Sequence, residues 1–325
     1  MQKITRELEN LLNDPFNQYN ILFLDIETDG LSHKNNLVII GLILFNSYAE
    51  TASVIQLFNE DYMSEREMLL ELSHVIEQNN IDYTISFNGN SFDIPFLNAR
   101  YSHYKIDYVL NKNSNIDLLR VARSNKELLG ISDFKLKTVE NYVGINRTDT
   151  ISGKDSILLY HAYVETQSEA LKKTILLHNY DDLINMIPLL KITDGLSNVL
   201  IPYVDVSKRK WYITNIQIKG NALYCSLSLN SRLSISDLYY DSQGIRFECS
   251  GLNGSLKIDL HLFKDQNLNT YMFADSKIIH GKTYDLLNNE DKQGLLVSKN
   301  QVLNESNIEQ IIFNTIQKVL KLIYE

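Results

Sequence analysis

The chain contains only two cysteines, which limits the covalent and metal chemistry open to it. Cys225 and Cys249 stand in segments whose pattern predicts β-strands. Two buried thiols in a reducing compartment explain them without a disulfide framework or a cysteine-based zinc site. A metal site in this chain would therefore have to use oxygen ligands.

Long apolar runs are also missing from the sequence. No segment approaches the roughly 18 uninterrupted apolar residues that a membrane-spanning helix needs. Residues 1–20 are polar and amphipathic, unlike a secretory signal. We therefore expect a cytoplasmic protein with no membrane partner.

Positive charge is scarce as well, since the formal net charge is −9. This balance argues against a protein that coats nucleic acid through a broad basic surface. The acidic excess lies in the first 195 residues. This acidic excess is explained by a solvated acidic surface or by a carboxylate cluster that binds divalent cations. The sequence motifs have to distinguish these two explanations.

The apolar runs in this first part predict a mixed sheet covered by helices. Their order is three strands, a helix, a strand, a helix, a strand and then helices, which is the order of a ribonuclease H-like α/β core. Ser64 with Glu67 forms a capping-box pattern at the start of the first helix. The predicted strands span 21–27, 37–45, 51–58, 83–87 and 116–119. Two predicted helices begin at 64 and 91, and two more span 136–142 and 171–190.

The pattern changes to a period of two from Trp211 onward. Turn signals separate the apolar runs, which predicts an antiparallel β-meander, and an amphipathic helix over 305–324 closes it. The boundary falls near residues 194–202. We thus expect two domains, a ribonuclease H-like domain at 1–195 and a smaller antiparallel β-rich domain with a C-terminal helix at 196–325.

Three segments carry side chains suited to metal chemistry. Asp25 and Glu27 stand two apart on a strand, so both carboxylates emerge on one face and can reach one ion. Asp93 follows a strand and an Asn-Gly turn and opens a helix, and taken alone it is better explained by helix capping. His178 and Asp182 lie one turn apart on a helix beside its apolar face, although a lone helical His is more often a surface or capping residue.

Together these segments resemble the DEDD-type 3′–5′ exonuclease superfamily, and in detail its bacterial YprB-like branch. The matching motifs are Asp-Ile-Glu-Thr-x-Gly-Leu at 25–31, Phe-Asn-Gly-x-Ser-Phe-Asp-x-Pro at 87–95 and His-Asn-x-x-Asp at 178–182. The resemblance covers residues 20–195. It implies a ribonuclease H-like fold and hydrolysis of phosphodiester bonds.

The resemblance also implies a role for each site residue. Asp25 would bridge two Mg²⁺ or Mn²⁺ ions, Glu27 and Asp182 would complete one ion site, and Asp93 would help to hold the second. His178 would act as general base. The well-known subclasses place a Tyr four residues or a His five residues before the last Asp, whereas here the His stands at minus four.

Asn88 and Ser91 are the expected contacts to the terminal nucleotide of a single-stranded DNA or RNA 3′ end. A structure-specific endonuclease could use the same carboxylates, and a nucleic-acid-binding or scaffolding protein could keep the fold with little turnover. The run from Lys208 to Tyr212 combines charge with stacking surface, as single-strand binders do, or is a basic linker that leads into a core strand. The sequence does not separate DNA from RNA. The β-rich domain at 196–325 is a candidate for binding either the substrate or a protein partner, whose identity the sequence does not indicate.

Overall fold

A six-stranded mixed sheet forms the centre of the first part of the chain in the computed structural model. Its strands lie in the order β1-β4-β3-β2-β5-β6. β2 pairs antiparallel with β3 and parallel with β5, so the sheet is mixed. The strands are β1 (Gln2–Glu9), β2 (Ile21–Thr28), β3 (Leu37–Phe45), β4 (Thr51–Phe58), β5 (Tyr83–Ser86) and β6 (Asn115–Asp117). The structure describes residues 1–13, 16–124, 129–145, 151, 153–193, 203–204, 209–229, 233, 235–242, 244–264, 271–275, 286–289, 292–299 and 302–324.

Helices cover both faces of this sheet, which is why β3 is buried at every position and its sequence is a continuous apolar run. The helices are α1 (Glu65–Gln78), α2 (Asp93–His103), α3 (Leu118–Ser124), α4 (Leu136–Tyr142), α5 (Gly153–Thr166) and α6 (Glu169–Leu189), with short 3₁₀ turns at Phe16–Gln18, Lys112–Ser114 and Leu190–Thr193. Leu22, Leu24 and Ile26 of β2 pack with α1 and α2. On the other face, Phe58 of β4 packs with Tyr160 of α5 and Ile175 of α6. This arrangement confirms the predicted ribonuclease H-like fold class.

A buried ion pair ties α1 to α2. Arg100 donates to both carboxylate oxygens of Glu65 at 2.6 Å, and Glu65 is fully buried. The same carboxylate accepts from the backbone nitrogen of Leu37 at 3.3 Å and from the Tyr104 hydroxyl at 3.0 Å. These bonds join two helices to the first residue of β3.

Several local predictions for this part were wrong or incomplete. β1 was not predicted, because its side chains are mostly exposed and carry no apolar alternation. Helix α5 was not predicted either. The strand expected over 116–119 ends at Asp117, and α3 begins at Leu118. Ser64 precedes α1 as expected but makes no side-chain cap, and its hydroxyl instead accepts from the amino terminus of Met1 at 2.5 Å.

The described residues after 193 form two antiparallel sheets and a helix. The first has the order β10-β11-β12-β9-β8-β7 and the second β13-β14-β16-β15, with β17 on β16. The strands are β7 (Tyr203–Val204), β8 (Lys210–Lys219), β9 (Ala222–Leu229), β10 (Leu238–Ser242), β11 (Ile245–Ser250), β12 (Ser255–His261), β13 (Phe263–Lys264), β14 (Tyr271–Asp275), β15 (Leu286–Asn289), β16 (Lys292–Lys299) and β17 (Val302–Leu303), and the helix is α7 (Glu305–Tyr324). The structure therefore differs from the single antiparallel meander that was predicted, because β12 pairs with β9 and a second sheet follows.

The predicted apolar face of α7 is buried against the alternating side chains of these strands. The buried residues of that face are Ile308, Ile311, Ile312, Ile316 and Leu320. Cys225 and Cys249 are free and buried in the same core, in agreement with the expectation for the two thiols. Trp211 and Tyr212 are buried in β8, which favours core aromatics over a stacking platform. Lys208 lies outside the described residues.

The chain separates into two compact units, one comprising Met1–Arg123 and Ile131–Ile192 and the other Ser124–Gly130 and Thr193–Glu325. The boundary expected at 194–202 lies outside the described residues, so the two-domain assignment stays a prediction. Among the helices of the described part of the chain, none is both long and apolar enough to span a membrane.

Candidate functional site

Strand β2 presents two carboxylates on the face that α6 covers. Side chains alternate along a strand, so Asp25 and Glu27 share one face while Leu24 and Ile26 pack with α1 and α2 on the other. Asp25 pairs across the ladder with Gly41 of β3. Asp25 is half-buried and Glu27 is buried.

Helix α6 supplies the partners on that face. Residues 178, 179 and 182 project towards β2 because Leu183 and Met186, which are buried, fix the rotation of the helix. His178 Nε2 lies 3.7 Å from Glu27 Oε1. Donor atoms of Glu27, His178 and Asp182 all lie within 4.8 Å of one another, close enough to hold one metal ion.

Asp93 comes to the same place from a third element. It is the first residue of α2 and is buried, and its Oδ1 accepts from the backbone nitrogen of Ile26 at 3.1 Å. This bond places the Asp93 carboxylate beside the backbone between Asp25 and Glu27. All four predicted carboxylates are therefore brought together, with His178 among them.

The electrostatics of the cluster follow from burying like charges together. Burial, and then the charges of Asp182, Asp93 and Glu27, raise the pKa of Asp25 well above its usual range, against a hydrogen bond from Asn179. Burial raises the pKa of Glu27 to about 7, although the nearby His178 opposes that rise. Without a cation, the folded chain therefore holds protons at this site close to neutral pH.

The pKa of Asp93 is raised to about 7, chiefly by burial. Backbone hydrogen bonds oppose the rise, while the charges of Asp117 and Glu27 add to it. Asp117 is thus a fifth acidic neighbour of the cluster, and none of the three sequence motifs contains it.

The loop that carries Asn88 and Ser91 is held by Asp117. Its two carboxylate oxygens accept from the backbone nitrogens of Asn88 at 2.9 Å and of Asn90 at 3.1 Å. Asn88 has a φ of 69°, a left-handed conformation that Asn tolerates better than most residues. Asn88 is half-buried and Ser91 is exposed, so both side chains stay open to solvent at the loop before Asp93.

Sequence reasoning missed two groups that contact the carboxylates. The Ser156 hydroxyl of α5 hydrogen-bonds Glu27, and no motif pointed to it. Asn179 Nδ2 donates to Asp25 Oδ2 at 2.8 Å. Asn179 belongs to the His-Asn-x-x-Asp motif, so the motif contained the signal, but its polar partner could not be read from the sequence.

The residues present fit hard divalent cations. Carboxylate oxygens are the ligands that Mg²⁺ and Mn²⁺ prefer, and a single imidazole is compatible with Mn²⁺. A buried cluster of four carboxylates is costly when fully ionised, and cations remove that cost. The fold is thus ribonuclease H-like, and its donor set fits divalent cations.

The chain matches the RNase_H_2 family, described as RNase_H superfamily, over residues 22–193. This match covers more than half of the chain and includes every residue of the site. The chain belongs to the RNase_H superfamily.

Curated relatives include DNA polymerases of Pyrococcus horikoshii and Pyrococcus glycovorans, which are 31% and 35% identical over 103 residues. These matches cover 29% of this chain but only 8% and 13% of the two polymerases, so the chain spans a small part of their length. A solved structure of the family B DNA polymerase from Pyrobaculum calidifontis aligns with a TM-score of 0.44 at 15% identity, over 68% of this chain and 34% of that chain.

Proposed function

We propose that the chain is a metal-dependent nuclease of the DEDD type, close to the YprB-like branch, that removes nucleotides from the 3′ end of single-stranded DNA or RNA. The observation that carries this proposal is the convergence of Asp25, Glu27, Asp93 and Asp182 from β2, α2 and α6 into one cluster, in which Glu27 and Asp93 are buried. Membership of the RNase_H superfamily supports the same reading.

In this proposal the four carboxylates hold two Mg²⁺ or Mn²⁺ ions. Asp25 would contribute to both ion sites, Glu27 and Asp182 would complete one, and Asp93 would help to hold the other. Divalent ions held there would supply an activated water molecule and would stabilise the negative charge on the leaving 3′ oxygen.

The remaining residues bind substrate and move the proton. His178 is buried beside Glu27, and in this proposal its Nε2 accepts the proton of the attacking water. Asn88 and Ser91 bind the terminal nucleotide at the loop that Asp117 fixes. Glu27 and His178 are both buried where α6 covers β2.

The test is digestion of 5′-labelled single-stranded DNA and RNA oligonucleotides with Mg²⁺ or Mn²⁺, with an EDTA control. The chain offers matched variants in Asp182→Asn and Asp181→Asn, which make the same chemical change at adjacent positions of α6. We expect a one-nucleotide ladder from wild type and Asp181→Asn, and none from Asp182→Asn or Asp25→Asn.

Other outcomes distinguish the alternatives. Internal fragments without a ladder would favour a structure-specific endonuclease. No cleavage, together with metal-independent binding of the oligonucleotides, would favour a binding protein that keeps the fold without turnover.

His178→Ala tests the general base in the same assay. The expected loss is about 100-fold or more in kcat, since loss of a general base typically costs 10²- to 10⁴-fold. A rate equal to that of the wild type would remove His178 from the mechanism.

A further inference from the structure

A row of polar positions crosses the sheet beneath α6. Asp25 of β2 is opposite Gly41 of β3, and Gly41 is opposite Gln56 of β4. Residues opposite one another in an antiparallel ladder share a face, so Asp25 and Gln56 both face α6, with no side chain between them. Gln56 is 1% exposed, which is unusual for an amide side chain in a sheet.

Asn179 of α6 occupies the space above Gly41. A β-carbon at Gly41 would lie 2.4 Å from Asn179 Oδ1 and 2.6 Å from its Nδ2, so any larger residue at 41 would displace the amide. Asn179 is fully buried. It spans the gap, donating to Asp25 Oδ2 at 2.8 Å and accepting from Gln56 Nε2 at 2.8 Å.

The orientation of both amides is set from outside the row. The backbone carbonyl of Leu176 can only accept, and Gln56 Nε2 donates to it at 2.8 Å. The guanidinium of Arg6 can only donate, and it does so to Gln56 Oε1 at 3.2 Å. Gln56 is therefore fixed at both ends, and its Nε2 in turn requires Asn179 to present its oxygen to Gln56 and its nitrogen to Asp25.

We propose that Asn179 is a positioning residue for Asp25, and that Gln56 and Arg6 lock the Asn179 amide so that it always offers a donor to that carboxylate. This inference rests on the proposed function, in which Asp25 bridges two ions. One oxygen of Asp25 is held by the protein, which leaves the carboxylate in a single orientation towards the ions. A freely turning carboxylate would instead lose rotational freedom each time a metal binds.

The experiment measures Mn²⁺ affinity of the full chain by isothermal titration calorimetry, with metal alone as the probe. Asn179→Ala removes the donor to Asp25. Gln56→Met leaves Asn179 and Asp25 unchanged but removes the bonds that orient the amide. Loss of such an outer hydrogen bond typically weakens metal binding about 10- to 100-fold, and we expect both variants to fall in that range.

Asn59→Ala is the matched control for the loss of a buried amide. Asn59 is also fully buried in the same unit, and it donates to the Leu37 carbonyl at 2.9 Å without contacting the carboxylates. Thermal unfolding of all variants shows whether stability losses are comparable. We expect Asn59→Ala to lose stability but to keep wild-type Mn²⁺ affinity.

A kinetic measurement separates positioning from a structural effect. If Asn179 orients a metal ligand, the rate lost in Asn179→Ala and Gln56→Met recovers as MnCl₂ is raised, and KM for the oligonucleotide stays unchanged. Wild-type Mn²⁺ affinity in both variants would overturn the proposal, as would an equal loss of affinity in Asn59→Ala. If the wild type binds no Mn²⁺, the proposed function itself fails, and this inference fails with it.

Discussion

At the scale of single residues, the carboxylate cluster that can hold cations lowers the stability of the metal-free chain when its carboxylates ionise. Asp93 and Glu27 both have a pKa of about 7 in the folded chain, whereas an unfolded Asp or Glu titrates near 4. The folded state thus binds protons more tightly than the unfolded state over this interval. Stability from this source is complete below pH ~4 and is lost as pH rises through about 7.

We therefore predict that the metal-free chain becomes less stable between pH 5 and pH 8, by on the order of a few kcal/mol. Asp93→Asn should reduce this slope, because the amide does not ionise and its oxygen can still accept from Ile26. Urea unfolding in EDTA at several pH values measures the effect, and MgCl₂ should restore stability at pH 8. A stability that rises from pH 5 to pH 8 in EDTA would contradict the prediction.

At the scale of elements, the Glu65–Arg100 pair fixes how α1 and α2 meet the start of β3. Both partners are buried, and Glu65 accepts from three different side-chain or backbone groups. Removing one partner leaves the other charge buried and uncompensated, which typically costs 3–5 kcal/mol. The pair thus acts as a joint between elements and is distinct from the carboxylate cluster.

Arg100→Ala should accordingly destabilise the chain by about 3–5 kcal/mol. Glu71→Ala is the control on α1, because Glu71 pairs with the more exposed Lys3 at 2.5 Å and such surface pairs contribute about 1 kcal/mol or less. Chemical denaturation of both variants gives the comparison. Equal losses of unfolding free energy in the two variants would show that the buried Glu65–Arg100 pair contributes no more to stability than the exposed pair.

Elements with a strong apolar pattern were predicted best. β3, β4 and α7 end at the expected residues, because burial on both faces leaves a continuous apolar run and burial on one face leaves a clear period. β1 gave no such signal, since its edge position exposes charged side chains. Among the site residues, the motifs led to the four carboxylates and His178. Gln56 and Ser156 could not be found, because their roles depend on which residues the fold places opposite them.

At the scale of the whole molecule, the charge balance limits how the chain can hold a polyanion. With a net charge of −9, the chain has no general attraction for phosphates, so substrate binding rests on the cations and a few local contacts. Each phosphate that a protein cation neutralises on a single strand contributes about 0.7 to the slope of log affinity against log salt.

We predict a shallow salt dependence, with log KM for a single-stranded oligonucleotide rising by less than about 2 per decade of NaCl at fixed Mg²⁺, which corresponds to about three phosphate contacts at most. KM measured over 50–200 mM NaCl tests this, roughly the range in which strongly basic binders lose most of their affinity. A steep slope that flattens in an Arg209→Ala, Lys210→Ala variant would instead assign substrate binding to the start of β8.

The site is assembled from residues 25, 93 and 182, which are distant in the chain and meet only through the parallel pairing of β2 with β5 and the docking of α6. Contacts of such long sequence separation form slowly, because loop closure must precede them. Hairpin β3–β4 and the individual helices can form while the carboxylates are still far apart. The chain would therefore bind metal ions only at the end of refolding. The rate of metal binding during refolding would then report the rate of the last long-range folding step.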